Sequence, residues 1–255
     1  MAQLPNSIQR VIDEGYSFQM GEYLSRGWQI LQKNMGNFVA FVLVYLLIQV
    51  LFAFIPIIGT IAGIIINPAL AVGPFIVADK LGHDRPATFN DFFKGMDKFG
   101  NLLLTYIVQA LVIVGACIPG IVLLFMGGIS MMSAGGLENV GSMFWIGILL
   151  TLIPAVYLGV SYSLSNQFVW FYDLGAWEAM EASRKVVGKN WISFLGFFIV
   201  LGLIALAGLI ALGIGLLFAI PVIWCSIYAT FAAITGRDRG DDDGQPDLAD
   251  HLIIK

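Results

Sequence analysis

Forty-seven consecutive residues, Asn190 to Gly236, carry no Asp, Glu, Lys or Arg. A helix crossing a hydrocarbon core of roughly 30 Å needs about 20 apolar residues, so this run predicts two crossings joined by a tight turn. The glycines of Gly213-Ile214-Gly215, near its middle, supply that turn. The pattern occurs twice more. Lys33 and Asp79 bound an uncharged interval of 45 residues, which predicts crossings at about 36 to 56 and about 59 to 80. Phe99 to Tyr172 holds one charge, Glu138, and divides into crossings at about 100 to 124 and about 143 to 168 around a loop of small residues. Pro56 and Ile57-Ile58-Gly59 mark the turn of the first hairpin, where Gly59 and Gly63 have the small-xxx-small spacing that lets helices approach closely. Asn67-Pro68 and Pro74 interrupt the second crossing. Each proline removes a backbone donor and clashes with the preceding turn, so a kink or break is expected there.

A charged segment precedes each hairpin. In the first, Leu24, Trp28, Leu31 and Met35 share one side and Arg26, Gln29, Gln32 and Lys33 the other. In the second, Thr88 and Asp91 read as a capping box, followed by Phe89, Phe92, Phe93, Met96 and Phe99 against Asn90, Asp91, Lys94, Asp97 and Lys98. The third, Ala176 to Lys189, carries Trp177, Met180 and Val187 on one side and a Glu181 to Lys185 pair. Each is expected to be an amphipathic helix on the membrane surface. The predicted fold is therefore all-α: a polytopic membrane protein with six transmembrane helices arranged as three hairpins, each preceded by a cytoplasmic amphipathic helix. Residues 1–20 are expected to be a flexible N-terminus, 21–236 a single six-helix membrane domain, and 237–255 an acidic disordered tail. The junctions Lys33-Asn34, Lys98-Phe99-Gly100-Asn101 and Lys189-Asn190 suggest a threefold internal repeat. The competing account is that any helix entering a membrane from its basic side favours Lys, Asn and an aromatic residue there.

Composition agrees with the pattern. Of the 255 residues, 58% are apolar and only 12% charged, whereas soluble domains carry about 25% charged residues. Mean hydropathy is +0.86. All thirteen Lys and Arg fall in the N-terminal region, the two loops that hold charged segments, or the tail. By the preference of positive loops for the cytoplasm, both termini and all three surface helices are expected inside the bacterial cytoplasmic membrane. The first residues lack the basic-then-apolar order of a signal peptide, so no cleavage is expected and the first crossing serves for targeting. A net charge of −4 makes nucleic acid a poor partner. Membrane lipids, other membrane proteins or a second copy of the chain fit better.

Candidate chemistry is sparse. The two histidines, His83 and His251, have no ligand partners at metal spacing, and Asp238 to Gly244 has Arg239 where a calcium loop needs an acid. Ser161, Ser163 and Ser165 lack a neighbouring histidine or a nucleophile elbow and read as helix-packing residues. Cys117 and Cys225 sit in apolar runs and read as small hydrophobes. No metal, cofactor or enzymatic activity is expected. Two sets of residues remain. Asn67, Pro68 and Gln109 are a candidate polar break in the membrane of the kind transporters use. Trp28, Lys33, Phe92, Phe93, Lys94, Lys98, Trp177, Arg184 and Lys185 are a candidate surface for lipid or a partner.

The pattern of Trp28, Lys33, Asn34 and Phe38, the stretch Phe92-Phe93-Lys94-Gly95, the block Glu178 to Lys185 leading to Asn190-Trp191, and Gly213-Ile214-Gly215 with Pro221 resemble a broad group of uncharacterised bacterial six-helix membrane proteins. The layout over residues 22 to 236 is also similar to the membrane domain attached to some glycerophosphodiester phosphodiesterases, whose activity belongs to a separate soluble domain. Members of the group carry the label beta-carotene monooxygenase, which implies four histidines around iron and does not suit a chain with two. The absence of a catalytic set and of charge within the crossings, beside three surface helices, predicts a non-enzymatic membrane protein. The leading reading is an interaction or scaffold protein; the alternative is a permease or lipid-handling transporter that uses the broken second crossing.

Overall fold

The computed structural model describes residues 5–133, 141–211 and 213–239. Glu138 and most of the acidic tail lie outside the described residues. All regular structure among the described residues is helical. Six helices, α3 (Met35–Ala53), α4 (Pro56–Gly82), α5 (Phe99–Ser133), α6 (Ser142–Ser161), α9 (Trp191–Ile210) and α10 (Leu216–Thr235), are long and apolar enough to cross a membrane. Around them lie α1 (Asn6–Glu14), α2 (Met20–Lys33), α7 (Ser165–Tyr172), α8 (Ala176–Gly188) and two 3₁₀ stretches, Phe89–Lys98 and Arg237–Arg239.

Glycine sets the closest approaches within the successive pairs of long helices. A Cβ on Gly59 would stand 1.9 Å from the carbonyl oxygen of Phe52, so α3 and α4 touch backbone to backbone. Gly120, Gly127 and Gly147 do the same between α5 and α6, against Thr151, Phe144 and Leu124 respectively. Gly208 meets Gly215 and Ala219 at the turn between α9 and α10, where Gly213 adopts the left-handed conformation its lack of a side chain permits.

The buried side chains gather at one end of these helices. On α3, Phe38, Phe41 and Val42 are buried, while Leu47, Leu51 and Phe54 further along are exposed. On α4, Leu70, Val72 and Val77 are buried and Ile57, Ile58 and Ile61 exposed. The same end carries the cations and the short helices, and it is called the basic end below. One part of its core joins Ile8, Leu102, Phe168, Val186, Phe194 and Phe231; another joins Leu31, Phe38, Phe41, Phe92, Cys225 and Tyr228. At the opposite end the helices present apolar side chains outward, a surface that hydrocarbon satisfies and water does not.

Several expectations are corrected. Residues 5–20 are anchored rather than loose: α1 buries Ile8 completely, the Tyr16 hydroxyl donates to the carbonyl of Val186 at 3.0 Å, and Asn190 Nδ2 donates to the carbonyl of Tyr16 at 2.9 Å. A short polar segment hides such anchors because one apolar residue per turn suffices once a groove is waiting for it. The face α2 buries is Tyr23, Gly27, Ile30 and Leu31, rotated from the expected Leu24, Trp28, Leu31 and Met35. Gly27 is the reason, since its missing side chain lets α10 approach until a Cβ there would lie 2.5 Å from Ser226 Oγ. The capping-box segment forms a 3₁₀ stretch, with the Thr88 N–H donating to Asp91 Oδ2 at 2.7 Å. Its backbone is pressed onto α4, where a Cβ on Gly73 would stand 1.8 Å from the Phe92 carbonyl and one on Gly95 2.0 Å from that of Ala69.

The expected break is absent: α4 runs unbroken through Pro68 and Pro74. A break occurs instead in the expected fourth crossing, where α6 ends at Ser161 and α7 starts at Ser165. Ser183 of α8 fastens that break, its hydroxyl donating to the Ser161 carbonyl at 2.7 Å and accepting from the Leu164 N–H at 3.2 Å. In α8 itself, Met180 and Val187 are buried against the chain rather than on a membrane-facing side, and Trp177, expected beside them, points away and is 64% exposed. The junction residues Asn34 and Asn190 play parallel parts. Each precedes a long helix, with φ −154° and −134°, and each ties a neighbouring chain carbonyl through its amide.

Candidate functional site

Asp79 closes the uncharged run of α4, and the fold buries it against the C-terminal end of α10. A buried carboxylate needs donors to offset its lost hydration, and the chain supplies them from three places. Arg237, just past α10, donates from Nε to Oδ1 at 2.6 Å and from Nη2 to Oδ2 at 3.4 Å. Arg85, in the loop after α4, donates to Oδ2 at 3.0 Å. Tyr228, two turns before the end of α10, donates its hydroxyl to Oδ1 at 2.7 Å. The Arg237 guanidinium also lies 4.5 Å from the ring centroid of Phe171, so α7 joins through a cation–π contact.

His83 completes the enclosure. Its Nδ1 faces the Asp79 carbonyl at 2.8 Å and its Nε2 the Arg237 carbonyl at 2.9 Å. Both neighbours are acceptors, so only the doubly protonated ring donates to both.

Further ion pairs extend the network. Asp91 accepts from Lys80 at 2.8 Å and pairs with Lys94 at 3.1 Å, joining α4 to the 3₁₀ stretch. Lys33, at the end of α2, reaches Asp84 at 2.7 Å and the Leu81 carbonyl at 2.8 Å, and this contact holds the Asp84 carboxyl below the usual range. Lys98 binds Asp173 at 2.8 Å and the Trp170 carbonyl at 3.2 Å. On α8, Arg184 is forked onto Glu181 at 2.7 and 2.9 Å and holds its carboxyl below the usual range, with Lys185 at 3.5 Å. Across the network the charges connect elements far apart in sequence, which makes the basic end a frame.

These contacts revise the expected surface. Lys33, Lys94, Lys98, Arg184 and Lys185 are all engaged with carboxylates of the chain itself. Phe92 is fully buried, stacked 4.6 Å from Phe41 and edge-on 5.1 Å from Phe38, and Phe93 is half-buried beside Phe89 and Phe41. Of the expected set, Trp28 and Trp177 remain open, at 43% and 64% exposure. The expected membrane break fares differently again. Asn67 Oδ1 accepts from Gln49 Nε2 at 2.7 Å, a polar bridge between α3 and α4; Pro68 is buried within a continuous helix, and Gln109 on α5 makes no hydrogen bond to that bridge. Among the described residues no three His, Cys, Asp or Glu side chains converge on a metal position.

The sequence reading missed Asp79, Tyr228 and Arg237 as one unit. The available signal was that an acid ends one apolar run and a cation ends another, at the same end of two long helices. Their pairing depends on which helices are neighbours.

The model of the family described as "Protein of unknown function (DUF975)" matches residues 23–238, a span that holds every residue of this network. Comparison with curated proteins and with solved structures gave no match.

Proposed function

We propose, for a chain that belongs to the DUF975 family of proteins of unknown function, a non-enzymatic role as a multi-pass protein of the bacterial cytoplasmic membrane that docks lipid or a partner protein at its basic end. The basic end faces the cytoplasm in this reading, because loops rich in Lys and Arg are retained there. Both termini and the short helices then lie inside. The observation that carries the proposal is the frame itself. Lys33, Lys80, Lys94, Lys98, Arg85, Arg184 and Arg237 within it are held by internal carboxylates, and Trp28 and Trp177 project from it. Indole rings fixed on a rigid support favour the headgroup boundary or a protein interface. The permease reading drew on a break in the second crossing; a continuous α4 with Asn67 bridged to Gln49 gives it less support.

The test separates the two. A Trp28→Ala/Trp177→Ala variant is expected to insert and unfold like the parent while losing the lipids or proteins that co-purify with it. Retention of all of them, together with loss of phenotype on Asn67→Phe, transfers the assignment to the permease. Orientation is checked independently. A reporter active only outside the cytoplasm is expected to work when fused at Glu138 and to fail at Arg85 and Lys185.

A further inference from the structure

Away from the Asp79 network, the N-terminal segment roofs a polar pocket of about 300 Å³ against α2 and the end of α10. Its charged lining is Arg10 from α1, Glu22 and Arg26 from α2, and Asp238 from the closing 3₁₀ turn. The Asp238 side chain is only 10% exposed. One of its oxygens binds Arg26; the other, Oδ1, is buried with no hydrogen-bond partner. A buried carboxylate oxygen left without a donor is costly, and the residue that carries it lines the open space. Ala233 to Gly236, at the C-terminus of α10, also line that space, and a helix C-terminus adds partial negative charge. On the other side of the balance, Arg10 is exposed and makes no ion pair among the described residues.

We propose that this pocket binds a primary ammonium group carried next to an anionic group, the chemistry of a phosphoethanolamine headgroup. The ammonium is held by the Glu22 and Asp238 carboxylates, aided by the helix terminus. The phosphate meets Arg10. A lone anion meets two carboxylates, and a quaternary ammonium has no N–H to give either of them. The pocket lies where the apolar run of α10 stops at Gly236, the depth at which a bilayer presents its headgroups. The proposal rests on the basic end being the headgroup-facing end, but not on the docking role of Trp28 and Trp177.

The full chain, stripped of native lipid in detergent, is offered phosphatidylethanolamine, phosphatidylcholine and phosphatidylglycerol in equal amounts, and retained lipid is counted by native mass spectrometry. Phosphatidylethanolamine is expected to be retained at least about tenfold over the other two, the factor that corresponds to about 1.4 kcal/mol. Asp238→Asn is expected to abolish the preference. Because that change also touches Arg26, Arg10→Gln is the second variant: it alters an exposed side chain and is expected to weaken retention severalfold with unfolding unchanged. Soluble glycerophosphoethanolamine distinguishes the sources. If it displaces the lipid, the headgroup chemistry suffices and a free metabolite also qualifies; if it does not, the ligand is the lipid. Equal retention of the three lipids, or a preference that survives both substitutions, overturns the proposal, whatever the tryptophan variant does.

Discussion

Replacing Asp79 by Asn keeps the size of the side chain and removes the charge that three donors share. Asp79 itself is 7% exposed and Arg237 17%, whereas Arg85 is 37% exposed. An ion pair that solvated contributes about 0 to 1 kcal/mol, so Arg85→Gln is expected to cost less than about 1 kcal/mol. Arg237 and Tyr228 have no such access to water. Asn accepts from one of them and turns an amide donor toward the other, leaving a guanidinium uncompensated in the core. Breaking a buried pair in this way costs about 3 to 5 kcal/mol, and that is the expected loss for Asp79→Asn. Arg237→Gln leaves Arg85 and Tyr228 on the carboxylate and is expected to cost about 1.5 to 3 kcal/mol, the range for a hydrogen bond to a charged group. Reversible unfolding of the purified chain in mixed detergent, followed by tryptophan fluorescence, measures all three. The double variant Asp79→Asn/Arg237→Gln is expected to lose less than the sum of the two, with a coupling of at least about 1 kcal/mol. Asp79→Asn at parental stability, or Arg85→Gln as damaging as Arg237→Gln, refutes the reasoning.

Other outcomes follow from particular contacts. Gly73→Ala and Gly95→Ala force a methyl into a facing backbone carbonyl and are each expected to lose about 1 to 3 kcal/mol or more in the same unfolding assay, while Gly100→Ala, with nothing near its added Cβ, is expected to be neutral or stabilising. Ser183→Ala strands the Leu164 N–H and the Ser161 carbonyl at about 1 to 3 kcal/mol. By contrast, Gln167 is fully buried with neither amide atom bonded, so Gln167→Leu is expected to hold or raise the unfolding midpoint. Glu181 titrates below its ordinary value because Arg184 binds it. A carboxyl depressed in the folded state contributes stability above the unfolded value of about 4.3 and loses it as pH falls through the folded one. The parent is therefore expected to weaken slightly in acid, and Glu181→Gln to flatten that slope; an unchanged slope contradicts the pairing.

Six apolar helices, and the loops that carry the cations, were legible along the chain because each depends only on local composition. Length without charge is a property of a segment, and so is a glycine at the turn of Gly213-Ile214-Gly215. The faces of the short helices were not legible. Periodicity put Trp28 and Phe92 on faces expected to lie alike on a membrane, yet Phe92 is enclosed by Phe38 and Phe41 and Trp28 is left out. The choice was made by Gly27 and Gly73, whose missing side chains let α10 and the 3₁₀ backbone in, and a glycine does not announce which neighbour will approach it. Pro68 shows the converse. It is a strong local signal for a break, but the helix continues because the segments packed on both sides hold its backbone in place. The ion pairs are the clearest division. Seventeen acids and thirteen cations can be counted from the sequence, but an Asp79 to Arg237 pair separated by 158 residues exists only once α4 and α10 end side by side. Residue type determines that a buried charge must find a partner; tertiary neighbourhood decides which one.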